Sequence, residues 1–435
     1  MLARSPIVYV LLLSAVVGCA APPPRDDPER PDILLILVDT LRADHLGVYG
    51  YERDTSPNLD AWAKRGIVFD QARSTAPWTN PAIASLFAGL YPQSVLPPAT
   101  HKEAIRLIVP DSHEMLAERL HTAGYRTVAL VDHPGLGRGN GFGQGFEIYD
   151  HLYQLAGESG WTDTPADFVA ETVRDRLESA DQRPTFLYLH LVYPHRPYSP
   201  PEPHGSYFES PHEGGRGARR AEAIDSYDGE IRYMDTLIGS LERLLRELEL
   251  EPWILFTSDH GEGFWEHGRS EHGNSFFDEL LRIPLIVIPP PGSGQKAGRS
   301  DRLVSLLDLH PTVLEIAGIE LPEGLDGLSL LTDRAATTPG RSLISESPHS
   351  RSIHGAAIIR DHTKYILDRD RSAYDVFEDP AESHPVATTV ETWQLVERLL
   401  LEHRRRNELR RIAPETREPD PETIERLKAL GYVDS

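Results

Sequence analysis

Five short stretches of this chain are apolar almost from end to end, and each has the length of a strand. They read DILLILV (32–38), TVALV (127–131), TFLYLHLV (185–192), WILFT (253–257) and IPLIVI (283–288). A strand with one face in water alternates apolar and polar side chains. A continuous run needs cover on both faces, the situation of a parallel sheet between helices. The intervening segments supply such helices. SHEMLAERLHTAGY (112–125) opens on a serine suited to capping and closes at Gly124. The segment 221–248 sets Tyr227, Ile231, Met234, Leu237, Leu241, Leu244 and Leu248 on one stripe. Strands alternating with helices predict an α/β fold, a mostly parallel sheet sandwiched by helices. No internal repeat is found.

The tail changes character from about residue 337. AAIIRD, KYILDRD and AYDVFED are short strand-like pieces that predict a small antiparallel sheet, and VETWQLVERLLLEHRRRNELRR and TIERLKALGYV read as helices. Residues 32–339 are therefore expected to form the main domain and 340–435 a small C-terminal α+β subdomain. The Gly/Pro-rich stretch 200–220 is long for a connection and predicts a lid or a mobile loop.

The beginning of the chain points to a destination. Arg4 is followed by the apolar run 7–17, too short to span a bilayer and of signal-peptide dimensions. VVGC (16–19) resembles a bacterial lipobox, so residues 1–19 read as a lipoprotein signal with Cys19 as the lipidation site. The other reading is an ordinary secretion signal with an incidental cysteine. The Pro-rich stretch 20–31 reads as a tether. A lipid anchor in the bacterial cell envelope is expected, at the outer membrane or periplasmic face, with the membrane as a partner. Cys19 is the only cysteine, so the domain beyond it has no disulfide and no thiol nucleophile. The formal net charge of −23 argues against nucleic acid, which selects basic surfaces.

Ligands of open α/β sheets gather at the carboxyl ends of the strands. One step past the apolar runs stand Asp39, the pair Asp259-His260, and His195 in YPHRPY. Taken singly, each has a plain reading as a cap or a loop histidine. Together they bring carboxylates and imidazole to one sheet edge, a donor set that suits one divalent metal ion, zinc or manganese before calcium, which prefers oxygen alone. Thr79 lies in TAPWTNPAIASLFAGLYP (75–92), with Pro81 in a first helical turn and Gly89 at a helix stop. It is either a helix N-cap or a hydroxyl that a metal could activate beside a helix end that favours anions.

These segments resemble the sulfatases of the alkaline phosphatase superfamily. The likeness runs through LVDTLRADHLGVYGY, TSPNLDAWAKRGIVFDQA, PWTNPAIASLFAGLYP, LAERLHTAGYRTVAL, YPHRPY, TSDHGEGFWEHG, FFDELLRIPLIV, LLDLHPTVLEIAGI, LDGLSLL and YDVFEDPAES, in that order. The resemblance implies a metal held by Asp39, Asp259 and His260 and completed by Thr79, which falls on the nucleophile position. It implies that His195 touches the substrate's anionic group, that His267 is a further polar site residue, and that His272 stands near a position where many sulfatases carry lysine.

Three departures qualify it. Sulfatases carry a cysteine or serine, converted to formylglycine, followed by x-Pro-x-Arg; here the run is Thr79-Asn80-Pro81-Ala82-Ile83. The second aspartate of the usual pair is Thr40, and the segment that often reads Gly-Lys-Trp-His is Val131-Asp132-His133-Pro134. A threonine nucleophile is what the phospho-transferring branches use. The expectation is a one-metal hydrolase or transferase acting through Thr79 on a small-molecule, glycan or lipid ester, phosphoester favoured. The alternatives are a sulfuric ester hydrolase working without formylglycine, and a catalytically inactive anchored binding module.

Overall fold

The computed structural model describes residues 30–96, 107–157, 164–210, 215–332, 340–347, 355–412, 415–416 and 421–429. Cys19 and the expected signal and tether lie outside these. The main sheet has eight strands: β1 (Ile33–Val38), β2 (Ile67–Arg73), β3 (Arg126–Val131), β4 (Ile148–His151), β5 (Thr185–Leu191), β6 (Trp253–Ser258), β7 (Leu285–Ile288) and β8 (Gly298–Ser305). Their spatial order is β8-β2-β7-β6-β1-β5-β3-β4. Only β7 runs antiparallel to its neighbours.

The five apolar runs become β1, β3, β5, β6 and β7, and the residues of each are buried throughout. The reason is visible in β1. Leu35 and Leu37 enter the core on one face of the sheet, whereas Leu34, Ile36 and Val38 enter the core on the other. Each such side chain taken from water stabilises the fold by roughly 1.5–3 kcal/mol. Helix α1 (Gly215–Glu247) covers the second face with Tyr227, Ile231, Met234, Leu237, Leu241 and Leu244. Its start at Gly215 corrects the expectation of a loop through residue 220. The helix expected over 112–125 is shorter, Leu116–Thr122, with Met115 rather than Ser112 at its N-cap.

A four-stranded antiparallel meander, β9 (Ser342–Glu346), β10 (Ala356–Arg360), β11 (Thr363–Leu367) and β12 (Arg371–Asp375), forms the C-terminal sheet. The helix Val390–Arg410 packs Val396 and Leu400 against it. β9 also grips the main domain: Ser345 Oγ donates to the Ser74 carbonyl at 2.6 Å and Glu346 N–H to the Thr75 carbonyl at 3.0 Å. The C-terminal sheet thereby braces the segment that leads into Thr79.

Candidate active site and metal centre

The register of three central strands builds the site. Val38 of β1 pairs with Ser258 of β6 on one side and with Leu191 of β5 on the other. Asp39 and Asp259 therefore leave adjacent strands side by side. The backbone turns sharply after Asp39, and Thr40 takes a left-handed φ of 56°. That conformation costs a β-branched residue roughly 1–3 kcal/mol. Three bonds hold it: Thr40 N–H to Asp259 Oδ1 (3.2 Å), Leu41 N–H to Ser258 Oγ (3.0 Å), and Tyr227 Oη–H to the Thr40 carbonyl (2.7 Å).

Thr79 is the first residue of the helix Thr79–Ala88 and is fully buried. The N-cap is Trp78, and no side chain caps this helix end. The hydroxyl is instead directed to His260, with Thr79 Oγ1 3.2 Å from His260 Nε2. His260 Nδ1 lies 2.8 Å from the Gly261 carbonyl. A carbonyl only accepts, so Nδ1 carries the hydrogen and Nε2 turns its lone pair toward Thr79. His195 is set in the same way by the Arg196 carbonyl at 2.7 Å from Nδ1. His272 Nδ1 is 3.2 Å from Glu262 Oε1, a buried carboxylate that also accepts from Tyr198 Oη at 2.8 Å. The rings of His260 and His272 lie 4.7 Å apart and those of His195 and His272 5.0 Å apart.

Two imidazoles at this site were not anticipated. His190 is the penultimate residue of β5, and His133 follows β3. Their Nε2 atoms each stand 3.9 Å from Asp39 Oδ2, while His260 Nε2 stands 3.8 Å from Asp39 Oδ1 and 3.3 Å from Asp259 Oδ2. The apolar neighbours of His190 concealed it. Its signal was an ionisable side chain near the carboxyl end of an otherwise buried strand. Gly135 keeps His133 in place, since its N–H donates to His133 Nδ1 at 3.0 Å and a Cβ there would meet the ring at 2.7 Å.

His267 sits in other company. Its Nδ1 pairs with Glu279 at 2.9 Å, its Nε2 is 3.3 Å from the Glu382 carbonyl, and its ring stacks on Phe277 at 3.6 Å. It lines a cavity of about 350 Å³ with Arg42, Glu266 and Arg282, a wall that contains none of Asp39, Thr79, His195, Asp259 or His260. The structure thus ties His267 to the C-terminal subdomain, not to the imidazole cluster. Both ring nitrogens are already engaged there.

Among the described residues no arginine or lysine pairs with Asp39 or Asp259. Burial, and then the charge of Asp259, push the Asp39 carboxyl well above its usual range, and burial raises Asp259 as well. Burial drives His190 and His195 down to about 3 and His260 down to about 4, so these rings are neutral. Both oxygens of Asp39, Asp259 Oδ2 and both ring nitrogens of His190 are buried without a well-formed hydrogen bond. Thr79 and Thr40 N–H lie near enough to favour the Asp39 anion without satisfying it. A buried polar group left this way costs about 1–3 kcal/mol. Asp39, His190 and Asp259 each place one such atom within 4.8 Å of the others. Two anions and neutral nitrogens converging on one buried point fit a divalent cation.

A mostly parallel sheet sandwiched by helices, with paired carboxylates and imidazoles at its carboxyl edge, defines a metal-dependent hydrolase of the alkaline-phosphatase-like class. The chain belongs to the sulfatase family, whose model matches residues 31–319. Among curated proteins it is 25% identical over 421 residues to the uncharacterized sulfatase YidJ of Escherichia coli (strain K12), covering 82% of this chain and 83% of that one. It is 25% identical over 432 residues to an arylsulfatase of Clostridium perfringens (strain 13 / Type A), covering 81% and 89%. Two solved structures share the fold at 20% identity. The phosphonate monoester hydrolase of Agrobacterium radiobacter superposes with a TM-score of 0.67 over 90% of this chain and all of its own. A protein solved with its substrate D-glucosamine-2-N,6-O-disulfate superposes with a TM-score of 0.70 over 87% and 98%.

Proposed function

We propose that the chain hydrolyses, or transfers the group of, an ester of an anionic oxyacid with Thr79 as nucleophile, and that it prefers phosphoesters to sulfate esters. The observation that carries this reading is the buried Thr79 hydroxyl, 3.2 Å from a lone pair of His260 at a helix N-terminus. Asp39 and Asp259, with imidazoles beside them, would hold the family's divalent cation. Such an ion supplies positive charge next to the reacting oxygens and lowers the pKa of a hydroxyl beside it.

The remaining work falls to the chain. Thr79 Oγ1 attacks phosphorus in line, forming the Oγ1–P bond as the bond to the leaving alcohol breaks. With His260 Nε2 turned to the cation, the hydroxyl proton would have its acceptor in the carboxylates of Asp39 and Asp259, which lie beside Thr79. His195 faces the site as a neutral acceptor, with His272 beside it, and would offer an Nε2–H to a substrate oxygen only after taking up a proton. Water or a second alcohol then displaces Thr79. The preference for phosphate rests on what stands at the family's positions. Threonine cannot become a formylglycine hydrate, and the arginine position is the buried Ile83. A glycan or lipid ester is the substrate class in view, and the pattern around Cys19 supports anchoring in the cell envelope.

The test compares an aryl phosphate monoester, an aryl phosphodiester and an aryl sulfate, with Thr79→Ala beside the wild type. Phosphoester turnover falling by at least about 10³-fold in the variant is expected. Dominant sulfate turnover would establish the other reading, a sulfuric ester hydrolase without formylglycine. No turnover of any ester would favour a binding module.

A further inference from the structure

The residues drawn to the metal by the family's motifs are Asp39, Thr79, Asp259 and His260. The structure adds a candidate from the middle of the sheet. His190 is completely buried, and neither of its ring nitrogens makes a hydrogen bond among the described residues. The Asp39 carboxylate is two-sided: Oδ1 faces His260 at 3.8 Å, and Oδ2 faces His190 at 3.9 Å. His190, Asp39 and Asp259 each place one ligand-capable atom within 4.8 Å of the others. His133 is equally near Asp39 but is built differently. Its Nδ1 accepts from Gly135 N–H, so its ring hydrogen sits on Nε2 and leaves no lone pair on the side nearest Asp39. Thr40 removes a carboxylate where the family's usual pair has a second aspartate.

We propose that His190 is a direct ligand of the bound cation, joining Asp39, Asp259 and His260 in a two-oxygen, two-nitrogen set that selects a zinc-like ion over calcium. Calcium takes six to eight oxygens, and this pocket offers few, whereas imidazole suits zinc and its neighbours. The inference rests on the cluster being the cation site and is independent of whether Thr79 is the nucleophile.

The experiment uses the full-length protein, stripped with chelator and titrated with Zn²⁺ and Ca²⁺ by calorimetry, together with the visible spectrum of the Co²⁺-loaded form. His190→Gln is expected to weaken Zn²⁺ binding by at least about 10- to 100-fold and to shift the cobalt bands, with Ca²⁺ affinity changed far less. Tyr188→Phe, on the same strand, should leave both readouts unaltered. X-ray absorption on the Zn²⁺-loaded wild type needs no variant: two imidazole ligands support the assignment, and one overturns it. A His190→Gln protein with wild-type Zn²⁺ affinity and an unchanged cobalt spectrum also overturns it. If the wild type itself binds no Zn²⁺, the whole cation reading of the cluster fails, a different result from the loss of His190 alone.

Discussion

Two buried ionic clusters of this protein use the same carboxylate chemistry to opposite ends. One is Asp39 with Asp259. The other is a knot in which Arg73 Nη2 meets Asp278 Oδ2 at 2.6 Å, Lys364 Nζ meets Asp278 Oδ1 at 2.8 Å, and the same ammonium meets Glu382 Oε1 at 2.9 Å. All six acidic and basic side chains are essentially buried. In the knot the chain supplies its own cations, one from β2 and one from β11, and it fastens the C-terminal sheet to the segment after the site loop. At Asp39 and Asp259 no arginine or lysine of the described residues supplies a cation, and three carboxylate oxygens lack a well-formed hydrogen bond. A closed cluster stabilises an interface; an open one is built for an ion from outside.

The largest effect should come from removing one carboxylate from each cluster. Asp39→Asn is expected to abolish zinc retention and to lower ester turnover by about 10³-fold or more, since transition-state charge stabilisation of several kcal/mol is lost with the ion. The metal-free protein should lose no stability, because the change relieves two buried like charges. Asp278→Asn should do the reverse. It leaves Arg73 and Lys364 with one carboxyl between them and should lower the stability to urea by about 3–5 kcal/mol, with metal affinity nearly intact. Matching profiles for the two variants would dissolve the contrast.

A smaller effect separates the clusters by pH. Burial holds the Glu382 carboxyl up at about 7 against the pull of Lys364. Folded protein thus keeps a proton that the unfolded chain, titrating near the ordinary glutamate value, has already lost. That contribution to stability is complete below the unfolded pKa and fades as pH rises from about 5 toward 7. Asp278 acts at the other end: burial opposes ionisation, but Arg73 and Lys364 outweigh it and hold the carboxyl down near 2. Its contribution is present above the ordinary aspartate range and lost as pH falls toward 2. Urea midpoints measured across pH should therefore decline between 5 and 7, and Glu382→Gln should flatten that decline. An unchanged slope in the variant would assign the decline elsewhere.

What could be read from the sequence follows physical rules. Central strands are covered on both faces, so their continuous apolar runs stand out. β2, β4 and β8 lie at or near the edges and mix polar with apolar residues, as GRSDRLVS in β8 shows, and a pattern that neither alternates nor stays apolar gave no signal. Asp39, Asp259, His260 and His195 were legible because they follow the legible strands. Thr79 was legible as a helix start, but its hydroxyl does not cap the helix. His190 was hidden because a lone imidazole inside TFLYLHLV looks like a tolerated core residue until strand pairing shows that Asp39 is its neighbour. His267 was misleading for the opposite reason. Proximity in sequence to His260 says nothing about which way a loop turns, and this one turns to Glu279 and Glu382.

His267 therefore offers the mildest test of the comparison, because it belongs to the edge of the knot although its motif points to the site. Burial disfavours its charge, but the hydrogen bond and charge of Glu279 outweigh that and raise its pKa. The stability it contributes is present below the ordinary histidine range and is lost as pH rises through the raised value. His267→Gln should cost about 1 kcal/mol of stability below pH 6, discounted for partial exposure, and leave turnover within about threefold of wild type. His195→Gln should instead lower turnover by roughly 10²- to 10⁴-fold with little change in the urea midpoint. If His267→Gln falls as far in turnover as His195→Gln, the two clusters are not separate, and the loop that joins them carries catalytic groups along its whole length.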